Sequence, residues 1–313
     1  MKRILVTTAL LFLLIIVFYS CSNDNKNQAN EQSNTISNEQ LHSNNQDTLS
    51  VSSDSLDANI EKERITEQLK NEEVLIQDAM SALEKTKDAL IAFDKNDNKL
   101  ALKYMEEALG KLDLILARDP NLKLVPVDVQ SQIVQLVSDL ETIKQTRKEA
   151  EKLVKKGHLQ AARQLLNTLA SEIRISTYNI PLLTYPVAIK LAVRKHDEGD
   201  MDEAKQVLDN ALNTLVVEKV IIPIPVINAQ FMVGIAADSM ETNKTKTLEL
   251  LNNAQNQLEL AEALGYGDRD REFRDIDKNI EEIKNKINKD EKATGLLDSL
   301  KTRMQSFKER ISF

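Results

Sequence analysis

The feature that most constrains this chain is a helical hairpin written several times over, each time followed by a pair of prolines. Asn96-Asp97-Asn98 leads to Ala101, Tyr104-Met105 and Ala108-Leu109. Gly157-His158-Leu159 leads to Ala162, Leu165-Leu166 and Leu169-Ala170, and Gly199-Asp200-Met201 leads to Ala204, Val207-Leu208 and Ala211-Leu212. The offsets are 61 and 42 residues, and a fainter copy lies 43 further on at Leu250-Leu251 and Ala254. Each copy puts Gly or Asn in a turn, where a left-handed backbone costs little. A small Ala then sits where two helices cross, with large apolar residues one turn later. The prolines keep the same register: Pro120, Pro181 and Pro223 repeat the offsets of 61 and 42, and Pro126, Pro186 and Pro225 follow them. Around them, Leu122 to Val129, Ile173 to Leu183 and Val216 to Ile227 turn β-branched or aliphatic. These read as short extended segments able to pair into a small β-sheet. Pro126, Pro186 and Pro225 then open the next helices, since proline suits a first helical turn. The fold class is therefore mainly α: repeated antiparallel helical hairpins with short Pro-flanked extended segments.

The rest of the body, residues 60–313, is helical by periodicity. Ile65, Leu69, Ile76, Met80, Leu83 and Leu90 fall at three-, four- and seven-residue steps, which predicts one long amphipathic helix up to the turn at Asp94-Lys95-Asn96-Asp97-Asn98. Gly265-Tyr266-Gly267-Asp268 is a helix stop. Phe273 to Lys289 carries a buried stripe of Ile276, Ile280, Ile283 and Ile287, and a last helix runs from about Gly295 to Ile311. The Gly-x-x-x-x-Ala spacing resembles tetratricopeptide helices, but the longer period, the extended spacers and the missing aromatic signature argue against such an array.

The amino end reads differently. Met1-Lys2-Arg3 is basic, Ile4 to Tyr19 is apolar apart from Thr7 and Thr8, and Ser20-Cys21 follows. Sixteen residues are short for a spanning helix, which needs about 20. They suit a signal-peptide core. The arrangement resembles a bacterial lipoprotein signal, cut before a Cys that carries the lipid, and Cys21 is the single Cys of the chain. Phe18 and Tyr19 depart from the commoner Leu and small residue before the cleavage site. Acyl chains contribute about 0.8 kcal/mol per buried CH2, so several of them anchor a protein firmly. Residues 21–59 then read as a disordered tether: Ser22 to Asn59 holds nine Asn, eight Ser and four Gln, with apolar residues only singly. A mean reach of about 30–37 Å would let the body stand off the membrane.

Composition narrows the chemistry. With 41 Lys+Arg against 49 Asp+Glu the net charge is −8, which argues against a nucleic-acid partner. One Cys excludes an internal disulfide framework and a Cys-based zinc site. His196-Asp197-Glu198-Gly199-Asp200 is the densest set of metal-ligand types, but its side chains fan round a helix end. A solvated terminus explains it, as it does His158, and no metal or cofactor is assigned. No phosphate-binding Gly-rich loop or nucleophile-elbow signature marks a catalytic residue. The best candidate surface for a ligand or partner is Tyr178, Pro181, Tyr185 and Pro186 with Pro223 and Pro225, since aromatic and proline side chains offer rigid contact area. The competing account is that they pack the sheet onto the helices.

Three stretches resemble the YfdX family of bacterial envelope proteins: Ser176 to Pro186; Gly199 through Leu212 running on to Ile221-Ile222-Pro223-Ile224-Pro225; and Ala261 to Gly267. The likeness extends over about residues 60–313 and is weakest in the hairpin from Ala89 to Pro126. It implies a mainly helical fold, an envelope location and an association with stress responses, acid stress among them. It implies no known catalytic activity and brings no catalytic motif. Some members are soluble in the periplasm, from which the lipid signal here departs.

The reading is a non-enzymatic, lipid-anchored envelope protein, on the periplasmic side or at the cell surface, that binds an unidentified protein or small molecule. The alternative is a structural or assembly lipoprotein docking an outer-membrane or transport complex. Self-association into a homo-oligomer is left open. As pH falls towards about 5 carboxylates begin to protonate, and the repulsion opposing association fades. Labelling with a fatty-acid analogue is expected to mark the wild-type chain and not Cys21→Ser; equal labelling of the two would refute the anchor.

Overall fold

The structure is a computed structural model that describes residues 51–267 and 271–312. The signal segment 1–20, Cys21 and the tether up to residue 50 lie outside the described residues. Helix α1 (Ser53–Glu72) precedes three helix–helix–strand units. These are α2 (Gln77–Asp94), α3 (Asn98–Arg118) and β1 (Leu124–Val134); α4 (Leu140–Lys155), α5 (Leu159–Asn167) and β2 (Glu172–Pro181); and α6 (Tyr185–Asp197), α7 (Met201–Leu212) and β3 (Val216–Pro223). Four helices follow: α8 (Ile224–Ser239), α9 (Lys244–Leu264), α10 (Arg271–Asn288) and α11 (Thr294–Ile311). The mainly α class and the small sheet are as expected. Among the described residues, no helix is long and apolar enough to cross a membrane.

The repeated turn is one structure. Asn96, Gly157 and Gly199 all have positive φ, at 57°, 79° and 85°. In each, the following N–H reaches five residues back: Asp97 to Ala92 O, His158 to Leu153 O and Asp200 to Lys195 O, all at 2.9 Å. This caps the carbonyls that the first helix of the hairpin leaves open. Asp97 and Asp200 then cap the second helix, their carboxylates accepting from Leu100 and Glu203 N–H at 3.1 Å. The small residues of the repeat, Ala101, Ala162, Ala204 and Ala254, are all buried.

Each unit donates one strand to an antiparallel sheet in the order β1-β2-β3. Ile173 and Ile175 of β2 join Ile60, Ile222, Ile224 and Ile227 in a core against α1 and α8. Ile180, of opposite parity along the strand, belongs to a second core with α2, α3, α6 and α7. Successive side chains alternate faces, so the two ends of β2 serve two cores on opposite sides of the sheet. β1 follows this change through an irregularity between Pro126 and Asp128. Val125 lies opposite Ile180 and Val129 opposite Thr177, so the inserted residue moves β1 from one core to the other. A third core gathers α8 to α11 with Val51 and Leu56.

Three expectations need correction. Pro126 does not open a helix; it lies in β1 at the bulge, and its carbonyl accepts from the Ile76 N–H at 3.3 Å. A missing N–H is tolerated at such an irregularity. The single long helix before Asn96 is two, α1 and α2, and its presumed stripe residues Ile65 and Leu69 are 43% and 55% exposed. Finally, helix begins at Ser53 rather than at the Ile60 boundary. The Ser52 hydroxyl caps it by accepting from Ser55 N–H, and Val51 and Leu56 bury against the C-terminal helices. Residues 53–59 therefore belong to the body.

Ala204 is fully buried where α7 crosses its neighbours, whereas Ala58 is exposed on α1. Ala204→Leu should lower stability by about 1–3 kcal/mol through overpacking. Ala58→Leu should leave it within about 0.5 kcal/mol. Equal denaturant midpoints for the two variants would refute the crossing argument.

Candidate functional site

The structure divides the six Pro and Tyr residues between the two ends of β2. Pro181 ends β2 opposite Leu124, and Tyr185 and Pro186 open α6 beside it. Pro223 lies opposite Glu172 at the far end, with Pro225 in the first turn of α8. Ten residues of strand separate these ends, roughly 30 Å at 3.4 Å per residue. Tyr185, Pro186, Pro223 and Pro225 are buried, while Pro181 and Tyr178 are half-buried. Tyr178 donates from its hydroxyl to Gln130 Oε1 at 3.3 Å. The six form no common surface; packing of the sheet onto the helices accounts for the buried four.

Two buried tyrosines have opposite surroundings. The Tyr185 hydroxyl, within the α2–α3–α6–α7 core, has no hydrogen-bond partner. Thr86 lies beside it, but the Thr86 hydroxyl donates instead to Ala82 O at 2.9 Å. Burial pushes the Tyr185 phenol up to about 12. Tyr266, from the Gly265-Tyr266-Gly267 stop, is fully engaged: it donates to Glu172 Oε2 at 2.6 Å and accepts from Ser171 N–H at 2.9 Å. Burial and then the adjoining Glu172 carboxylate raise its pKa. Arg174 donates to the other Glu172 oxygen at 2.6 Å, so the buried carboxylate is satisfied on both sides. The cluster ties the loop after α9 to the start of β2. Sequence reasoning missed it because its partners are 94 residues apart.

The His196–Asp200 segment is occupied by structural tasks. The His196 ring bonds Asn98 O at 3.1 Å and Asp197 Oδ1 at 3.2 Å, joining α6 to α3, and Asp200 caps α7. Among the described residues, no three His, Cys, Asp or Glu side chains are placed to hold a metal ion. His158 is exposed at the start of α5.

The most apolar of the described helices, α8, supplies a different candidate. One face fills the C-terminal core through Val226, Ala229, Met232, Val233 and Ala236. Another, with Ile227, Phe231, Gly234 and Ile235, lines a cavity of about 340 Å3 between α1, α8 and α11. A Cβ on Gly234 would meet nothing within 4 Å, so the glycine leaves the cavity open. Polar groups rim it: Lys308 of α11 pairs with Glu63 of α1, and Gln230 of α8 donates to Gln305 Oε1 at 2.6 Å. An apolar wall beside a few placed polar groups suits an amphipathic ligand of modest size.

Residues 82–221 match the family model described as YfdX protein. The match runs from within α2 to within β3 and spans the three helix–helix–strand units. It is narrower than the 60–313 expected, leaving Ala261 to Gly267 and all of α8 to α11 outside. A solved structure of Salmonella Typhi YfdX is similar at 14% identity and a TM-score of 0.34, covering 48% of this chain and 93% of that one. No curated protein matches the chain.

The two tyrosines should respond oppositely to loss of the hydroxyl. Tyr266→Phe strands Glu172 and the Ser171 N–H and should cost about 1–3 kcal/mol. Tyr185→Phe removes an unsatisfied group and should be neutral or stabilising by up to about 1 kcal/mol. A raised folded pKa means stability is intact below the unfolded value near 10 and is lost as pH climbs through the folded value. For Tyr185 that loss runs from about 10 to about 12. Urea unfolding across that range should show Tyr185→Phe losing less than wild type; identical alkaline losses would refute the assignment.

Proposed function

We propose, from the match of residues 82–221 to the YfdX family model, that this is a non-enzymatic binding protein held at a bacterial envelope membrane by lipid on Cys21. The cavity between α1, α8 and α11 is the binding site in this reading. The observation that carries it is Gly234 in the middle of an apolar helix with open space where its side chain would be. A helical glycine costs up to ~1 kcal/mol relative to alanine, and here it leaves room beside Phe231 and Ile235. Several charged groups are committed to holding helices, which supports binding over catalysis. Asp78 takes both Lys111 and Arg118 from α3, at 2.9 and 2.8 Å, and these partners hold its carboxyl below the usual range. Lys195 stands between Glu198 and Glu203, at 3.1 and 3.0 Å. A part in stress responses, acid included, rests on the family resemblance.

A second reading, a structural lipoprotein that docks a larger envelope complex, draws on Leu183 and Val187. They are 73% and 63% exposed at the start of α6. In the first reading, a photo-crosslinking residue at Ile235 captures a discrete species in cells, and one at Leu183 does not. The reverse pattern would replace the cavity with the docking surface. Gly234→Ala should raise stability by about 0.5–1 kcal/mol. Gly234→Leu should abolish the Ile235 crosslink without unfolding the chain.

A further inference from the structure

The hairpin α4–α5 differs from the other two in how much of it is left open. The α2–α3 and α6–α7 hairpins pack together around one core. On α4 and α5 the buried residues are Ile143, Ala150 and Ala162. The base of the hairpin is fastened to α9 by Lys144, which donates to Glu259 at 2.8 Å, and by Arg147, which donates to the Glu262 carbonyl at 3.0 Å. Beyond that base the apolar stripe loses its cover. Val154, Leu159 and Leu166 are 48%, 60% and 47% exposed.

The same hairpin is basic in an acidic chain. Residues 140–167 hold seven Lys or Arg against three Glu, a net of +4 where the whole chain is −8. Lys144, Lys148, Lys152 and Lys155 recur at helical steps of four, four and three, so they share one side of α4. Among the described residues, Lys148, Lys155, Lys156 and Arg163 enter no ion pair, although Glu149 and Glu151 stand on the same helix. The turn at Gly157 brings Lys155 and Lys156 to the tip, with Val154 before them and Leu159 after.

We infer that the tip of this hairpin is a contact site for an anionic phospholipid surface. Charge complementarity selects a negative partner. The apolar residues alternate with the cations: Val154 and Leu159 flank Lys155 and Lys156 at the turn, and Leu159, Arg163 and Leu166 follow at steps of four and three along one side of α5. A fluid bilayer accepts such a tip, since the cations stay among the headgroups while Val154, Leu159 and Leu166 enter the boundary below them. The contact does not depend on acylation of Cys21 or on the cavity of α8. With a lipid on Cys21 as well, it would be a second, weaker attachment that orients the body on the membrane.

The test is flotation of the chain from Ser22 onward, which lacks both the apolar amino-terminal run and Cys21, with phosphatidylcholine vesicles containing or lacking phosphatidylglycerol. Wild-type hairpin should bind the anionic vesicles, release in high salt and ignore pure phosphatidylcholine. Lys155→Gln with Lys156→Gln and Arg163→Gln should weaken partitioning roughly a hundredfold, at about a factor of five for each charge. Val154→Ser with Leu159→Ser and Leu166→Ser should weaken it while leaving the far-ultraviolet dichroism unchanged. Neutralising Lys87, Lys99 and Lys278, which are exposed elsewhere, should leave binding within about twofold. Failure of the chain to bind anionic vesicles would overturn the proposal. So would an equal loss in the control, or hairpin variants that alter self-association or binding to an acidic protein and leave vesicle binding intact.

Discussion

Everything in this fold hangs on β2. It is the central strand, bonded to β1 along one edge and to β3 along the other. Its two faces are covered at different ends, by α1 and α8 around Ile173 and Ile175 and by the α2–α3–α6–α7 core around Ile180. A strand covered in this way fixes its register twice over, because a one-residue slip would turn both sets of isoleucines to the wrong side. β1 can follow only by gaining a residue, which is what the bulge at Pro126 to Asp128 supplies. Proline at that point costs no ladder bond, and its carbonyl is free to fasten α2 through Ile76.

The polar interior is spent on the same junctions. Glu172 begins β2 and is buried, yet Tyr266 and Arg174 satisfy both of its oxygens. That contact attaches the C-terminal helices, which lie beyond the family match, to the strand at the centre of the matched region. Lys308 of α11 is likewise buried and pairs with Glu63 of α1. Breaking either pair would leave an uncompensated buried charge, which is far costlier than the pair is favourable.

Much of this was legible locally. The turn residues Asn96, Gly157 and Gly199, the buried alanines and the positions of Pro186 and Pro225 follow from rules that act within a few residues. The errors arise where distant contacts decide. Pro126 reads as a helix opener until β2 is beside it. The pattern through Ile65 and Leu69 reads as core, although the chain is interrupted at residues 73–76 and those two side chains face outward. The Pro and Tyr group reads as a surface because its members share rigid side chains and recur at matching places in the repeats; antiparallel pairing of β2 with β3 sets Pro223 at the far end of the strand from Pro181. The cavity on α8 is built from helices at both ends of the described chain, and its one sequence signal was an apolar run too continuous for a one-faced helix.

Each strand comes from a separate unit, and its partner is made only after a further helical hairpin. Hydrogen bonding in the sheet therefore joins residues far apart along the chain, the kind of topology that slows folding. In a stacked array of repeats each unit contacts its neighbours, so a missing copy shortens the array without disrupting it. Here the middle copy owns the strand that the outer two share. Losing α4, α5 and β2 as a block would leave β1 and β3 to meet directly, with no alternation of faces able to reach both cores. The arrangement has a fixed number of parts: a deletion of the middle copy that keeps the repeat pattern intact would still remove the strand on which both cores rest.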